Sequence, residues 1–355
     1  MDFPGRRARL AARLSDLEID AFLVNRLPNV RYLTGFTGSN GQLLLAAESA
    51  VFFTDSRYTE QSRHEVPDAE RVTYSAFPAA FADACTSIGA KRVGFESGGV
   101  TFRLYLELDE ADGFELVPTD GEVERLRWAK EPEELELVGQ AQAITDDCFE
   151  RIVAKLAEGM TEREVALEME LTMRQNGADG LAFDSIVAFG ENAAEPHHNP
   201  TDRPLQQGDV VKLDFGALYR GYHSDMTRTV ALGEPSPEMR EVHALVKAAQ
   251  QAGIDAVRAG VTGAEADAAA RTVIEEAGRG DAFGHSLGHG VGLEIHEGPT
   301  LRAKSDDALP AGTVVTVEPG VYLPGVGGVR IEDMVEVTAD GCRPMPSSTR
   351  DLVIL

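Results

Sequence analysis

The chain has 355 residues, which at roughly 100–200 residues per domain sets an expectation of two domains. Hydrophobic residues make up 43% and charged residues 26%, enough apolar side chain for a sizeable core and too much for a disordered chain. With 33 Lys and Arg against 59 Asp and Glu, the formal charge is −26. That excludes the basic face nucleic acid requires and disfavours an anionic membrane surface.

The N-terminal stretch MDFPGRRARLAARLSDLEIDAFLV mixes Arg and Asp into its apolar positions. It lacks the apolar run of a signal peptide, and no segment reaches the ~20 apolar residues of a membrane helix. Cys85, Cys148 and Cys342 are odd in number and far apart, with no CxxC. They argue against a disulfide framework or structural zinc and fit buried thiols in a reducing cytoplasm.

Leu10, Leu14 and Leu17 recur at helical spacing, with Arg on the other face, and predict a helix over 6–18. Short β-like runs follow at 21–24, 41–47 and 50–55, alternating with helical stretches, so the first part reads as α/β. From Leu126 the pattern changes. Pro132, Glu133 and Glu134 suit a helix start and Gly159 its stop. The boundary is placed here, giving domains 1–125 and 126–355.

Helices are predicted over 161–176 from Thr161, over 238–259 from Ser236, and over 262–278. Residues 209–232 and 313–337 each read as two strands joined by a glycine-containing turn. Helices outside a mostly antiparallel sheet make this second domain α+β, and two helix-pair-plus-hairpin blocks hint at a two-half design.

The acids within those strands are out of place. Asp214 lies between Leu213 and Phe215, and Asp225 on the returning strand faces it directly or diagonally. Glu318 ends TVVTVE, and Glu332 sits in GGVRIEDMVEV with Arg330 on the same face. Each pair alone also describes a solvated strand face. His289 adds an imidazole, in a segment where Gly284, Gly288, Gly290 and Gly292 oppose a helix and favour close extended backbone. Four carboxylates set −4 against the +4 of two divalent cations, and oxygen-rich ligation suits Mn²⁺ or Co²⁺.

The ordered set Asp214, Asp225, His289, Glu318 and Glu332 resembles the dinuclear site of the pita-bread metallopeptidases, which include methionine aminopeptidase, aminopeptidase P and prolidase. The resemblance implies a pita-bread catalytic domain in which these five hold two divalent metals, Mn²⁺ foremost, with Co²⁺ or Zn²⁺ as alternatives. It implies Glu318 as general base. His197 and His296 are implied as the histidines contacting substrate and oxyanion, with His198 leaving the first assignment open. His285 and Arg330 match positions of the proline-specific branch, where they are implied to touch substrate. Arg330 would orient Glu332 or a substrate carboxylate.

Asn29–Asn40 and Thr54–Tyr58 are similar to a creatinase-like N-terminal domain, which methionine aminopeptidase lacks. The implied activity is release of the N-terminal residue from peptides with proline second. The N-terminal motifs lean towards aminopeptidase P, and prolidase, restricted to Xaa-Pro dipeptides, is the alternative. A homodimer is implied by resemblance alone. Two remoter readings remain: a non-catalytic peptide-binding relative, and a GxSxG serine hydrolase built on Gly284-His285-Ser286-Leu287-Gly288.

Overall fold

The computed structural model describes residues 1–355, in two compact units, Met1–Arg127 and Trp128–Leu355. The first is α/β. Its strands β1 (Ala21–Val24), β2 (Gln42–Ala46), β3 (Ala50–Thr54), β4 (Glu70–Thr73), β5 (Arg92–Glu96) and β6 (Glu115–Thr119) form one sheet in the order β4-β3-β2-β1-β5-β6. β1, β2 and β3 pair antiparallel, and β4, β5 and β6 add in parallel. The helices are α1 (Phe3–Ala11), α2 (Leu27–Thr34), α3 (Thr59–Glu65), α4 (Phe77–Ile88), α5 (Phe102–Asp109) and α6 (Glu122–Trp128). Ala21, Phe22, Leu23 and Val24 are all buried, as a central strand covered on both faces requires.

α1 stops at Ala11, short of the predicted end at residue 18, and its arginines do not all face outward. Arg6 and Arg7 are buried, and their Nη1 atoms donate to the carbonyls of Tyr32 and Leu33. Those carbonyls close the last turn of α2, where orphan acceptors attract cationic donors.

The second unit is α+β with only antiparallel ladders. Helices α7 (Pro132–Val153), α8 (Glu162–Gln175), α9 (Pro237–Ala256) and α10 (Gly263–Glu276) start where the caps lie. Thr161 and Thr262 form capping boxes with Glu164 and Glu265, and the Ser236 side chain accepts from Met239 N. α7 ends at Val153, before Gly159, which turns the connecting loop at φ +90°.

The strands are β7 (Gly180–Leu181), β8 (Ile186–Phe189), β9 (Val210–Phe215), β10 (Ala217–Tyr219), β11 (Tyr222–His223), β12 (Met226–Ala231), β13 (Gly288–Gly290), β14 (Glu297–Leu301), β15 (Val314–Val317), β16 (Gly320–Leu323), β17 (Gly327–Arg330), β18 (Asp333–Val337) and β19 (Cys342–Pro344). Sheet β12-β9-β8 packs on α7 and α8 around Val165, Met169, Leu213 and Val230. Sheet β14-β13-β15-β18-β19 packs with α9 and α10 around Val246, Ala270, Val315 and Val335. Each half thus has its own core.

Both predicted hairpins are more broken than expected. After Phe215 the chain bends at Gly216 into the small sheet β11-β10-β7, then returns as β12. A Cβ at Gly216 would lie 1.8 Å from the Ser224 carbonyl oxygen, so only glycine permits this crossing of the two arms. In the second hairpin β15 pairs with β18, while β16 and β17 pair with each other in a separate ribbon. Glu318 and Glu332 therefore sit at the two breaks, where side chains leave the regular ladder. No helix is long and apolar enough to cross a membrane.

Candidate metal centre

The breaks aim the acids inward. In the β9–β12 ladder Asp214 stands opposite Thr227, so Asp225, two residues before Thr227, is its diagonal neighbour. Asp214, Asp225 and Glu332 are buried, and Glu318 is nearly so. His289 sits on β13, whose glycines let neighbouring backbone close in: a Cβ at Gly288 would meet Thr316 O at 2.0 Å, and at Gly290 would meet Gly298 O at 2.3 Å. His289 Nε2 lies 3.6 Å from Asp225 Oδ2 and 3.4 Å from Glu318 Oε1. Ligand atoms of Asp225, His289 and Glu332 all lie within 4.8 Å of one another.

The electrostatics favour a bound cation. Burial first, then the charges of Glu332, Asp214 and Glu318, pushes the Asp225 carboxyl far above the carboxylate range. Glu332 is raised in the same way by burial, Glu318 and Asp214. Burial lifts Glu318 to about 7, although Arg330 and a hydrogen bond from Thr316 work against it. Asp214 Oδ1 is buried without a hydrogen-bond partner. His289 Nδ1 lies 3.0 Å from the Gly290 carbonyl; a proton there leaves the Nε2 lone pair facing two carboxylates, a repulsive arrangement unless positive charge lies between. Burial also lowers the His289 pKa, favouring the neutral, ligating form. The donor set therefore fits divalent cations bound through oxygen and one imidazole.

These acids border a cavity of about 440 Å³, whose walls include His197, His285, His296 and Arg330. Arg330 is buried and does not reach Glu332 directly. Its Nη2 pairs with Asp214, its Nη1 donates to Tyr322 Oη at 2.7 Å and to Pro196 O at 3.2 Å, and its Nε donates to Thr227 Oγ1 at 3.1 Å. Thr227 Oγ1 in turn donates to Glu332 Oε2 at 2.7 Å, so the Arg330–Glu332 link runs through a hydroxyl. Arg330 thus touches Asp214 itself and reaches Glu332 through Thr227.

The pair of adjacent histidines separates clearly. His198 is buried, with Nε2 2.9 Å from Glu162 and Nδ1 2.7 Å from Glu195, whereas His197 is exposed to the cavity. His296 stacks edge-on against His289, ring centroids 4.4 Å apart, and burial followed by the charges of His289 and His197 lowers its pKa. His285 is lowered to about 4 by burial and by Arg330. Its Nε2 lies 2.9 Å from Tyr322 Oη, and its ring lies edge-on to Phe283.

Sequence reasoning missed Thr227, Thr316 and Tyr322. Thr316 donates to Glu318 Oε1 at 3.0 Å and accepts from His289 N at 3.1 Å. Both threonines lie two residues from an acid, just inside the strand end that the acid precedes or follows, and that spacing was the available signal. Nothing local marks Tyr322. No elbow forms at Gly284–Gly288: a short 3-10 turn (Gly280–Ala282) precedes it and strand β13, not a helix, follows.

Residues 136–339 match the model of metallopeptidase family M24. The chain belongs to that family. Residues 6–128 match the creatinase/prolidase N-terminal domain. As a member of M24 the protein is a metallopeptidase of the pita-bread fold that works with divalent metal. Over 94% of its length it is 36% identical to 95% of a Xaa-Pro dipeptidase from Pyrococcus horikoshii. A structure of Xaa-Pro dipeptidase from Bacillus anthracis superposes with a TM-score of 0.98 at 42% identity, covering 99% of this chain and 100% of that one. A structure of X-Pro aminopeptidase from Thermotoga maritima superposes at 0.90 with 39% identity, covering 97% and 100%.

Proposed function

We propose that this metallopeptidase hydrolyses the bond before proline in Xaa-Pro dipeptides. The N-terminal motifs leaned towards longer substrates, but the similarity over nearly the whole chain to proteins named Xaa-Pro dipeptidases favours the prolidase reading. Cleavage of longer Xaa-Pro peptides is the second reading, favoured by the likeness to the Thermotoga aminopeptidase. Assembly as a homodimer and a cytoplasmic setting belong to the same proposal. The observation that carries it is the convergence of Asp225, His289 and Glu332 on one point of a cavity that also holds His197, His285 and His296.

In this reading Asp214, Asp225, His289, Glu318 and Glu332 hold two divalent cations, Mn²⁺ first, then Co²⁺ or Zn²⁺. The chemistry such cations supply when bound is Lewis-acid polarisation of the scissile carbonyl and acidification of the attacking water. Glu318 takes the water proton and passes it to the proline nitrogen, which must be protonated to leave. His197 and His296 donate to the carbonyl oxygen as negative charge develops on it. His285, neutral and flanked by Phe283 and Tyr322, offers an apolar wall to the proline ring. Arg330 holds Asp214, and through Thr227 it steadies Glu332.

The test is product analysis on Xaa-Pro and Xaa-Pro-Yaa peptides after EDTA treatment and Mn²⁺ or Co²⁺ add-back. Metal-restored cleavage confined to dipeptides supports the prolidase reading. Equal cleavage of tripeptides replaces it with the aminopeptidase reading, and cleavage indifferent to chelation removes both.

A further inference from the structure

We propose that Lys212 and Glu162, two fully buried polar residues, are positioning residues that hold the His197 imidazole in place. The inference rests on the role given to His197 above. His197 lies in an irregular stretch between the 3-10 turn Gly190–Ala194 and β9. A side chain there has no ladder to orient it, yet stabilising an oxyanion requires placement within a fraction of an ångström.

The stretch is tied on both sides of His197. Before it, Lys212 Nζ donates to the carbonyls of Ala193 at 3.2 Å, Pro196 at 3.4 Å, and Glu195. An ammonium has three protons, and three carbonyls receive them. After it, Glu162 Oε2 accepts from Thr201 N at 2.8 Å and Thr201 Oγ1 at 2.6 Å and faces His198 Nε2 at 2.9 Å. Glu162 Oε1 accepts from Phe189 N at the end of β8 and from Asn192 Nδ2 in the 3-10 turn, both at 2.9 Å, just ahead of the stretch. His197 is thus the exposed residue between two buried anchors.

The choice of Lys at 212 is informative. It lies in the apolar run VVKLDF, 0% exposed, where burial alone disfavours a charge. On β9 it is two residues from Asp214 and on the same strand face. The strand that presents Asp214 therefore also sets the height of the His197 stretch, and Arg330, paired to Asp214, donates to the same Pro196 carbonyl. A methionine would fill the space equally well, so burial of an ammonium points to the carbonyls it gathers.

The test is a double-mutant cycle on the metal-loaded enzyme, with imidazole NMR of the metal-free protein as a second readout. Lys212→Met should lower kcat on an Xaa-Pro dipeptide about 30- to 100-fold, the scale of a misplaced catalytic group, with KM changed less than about threefold and metal content unchanged. In a His197→Ala background the same substitution should cost less than about threefold, because the group it positions is gone. The His197 imidazole resonances should shift or broaden in Lys212→Met while those of His243, remote from the cavity, stay put. Equal loss in both backgrounds, or an unmoved His197 signal, overturns the proposal. Should Lys212→Met not fold, Glu162→Gln, which breaks the other anchor, is read by the same criteria. If His197→Ala keeps full kcat, the catalytic role of His197 fails, and the NMR comparison still decides whether the anchors hold it.

Discussion

Thr227 Oγ1 lies 2.7 Å from Glu332 Oε2 and 3.1 Å from Arg330 Nε, and Thr227 stands directly across the ladder from Asp214. One hydroxyl thus joins the acid of one half of the catalytic unit to the strand carrying the acids of the other. Thr227→Val keeps the shape and removes the link. Hydrogen-bonded supports of metal-binding side chains typically account for 10–100-fold in affinity. Metal titration of the chelator-stripped variant should show a loss of about that size with thermal stability little changed.

Glu318 tests the proton path. Glu318→Gln keeps an oxygen towards the cavity but cannot accept the water proton. At matched metal content kcat should fall by about 10³-fold or more. Near-normal turnover with both cations bound would remove Glu318 from that role.

His243 on α9 gives a pH signature away from the cavity. Burial, reinforced by Lys247, holds its pKa down to about 4 although Asp351 and the backbone of Thr229 oppose this. A histidine whose folded pKa is depressed stabilises the fold fully above its unfolded value of about 6.5. That contribution is lost as pH falls through about 6.5 towards 4, to the order of 3 kcal/mol. In denaturant melts across that window, wild type should lose about that much stability relative to His243→Leu as the pH is lowered.

Two glycines should behave in opposite ways. Gly216→Ala would drive a Cβ to 1.8 Å from Ser224 O and should cost about 3 kcal/mol or more, because backbone must move. Gly139, inside α7 with nothing near its missing Cβ, should gain roughly 0.5–1 kcal/mol as alanine. Chemical denaturation of both variants gives the comparison.

Much of the centre is legible because burying acid in a β-strand is costly. Asp214 between Leu213 and Phe215, and Glu332 between Ile331 and Asp333, announce themselves by composition and alternation. The helix starts are legible for a similar reason: Thr161, Ser236 and Thr262 satisfy local backbone donors within one turn. Leu14 and Leu17 keep helical spacing past Ala11, yet residues 12–18 form turns, and Arg6 and Arg7 read as a polar face until their partners, the carbonyls of Tyr32 and Leu33, are known. The hairpins were drawn too simply because the break at Gly216 depends on which backbone crosses it.

The amino-acid order alone determined which residues are anomalous for their local setting, since propensity, alternation and capping act over one to four positions. The tertiary structure decided which anomalies share a partner. His197 was separated from His198, Arg330 assigned to Asp214, and Lys212 set against three carbonyls by contacts between segments far apart in the chain. Hydrogen bonds and Coulomb forces act through space at a few ångströms, and chain spacing carries no record of that distance until the two halves close on each other.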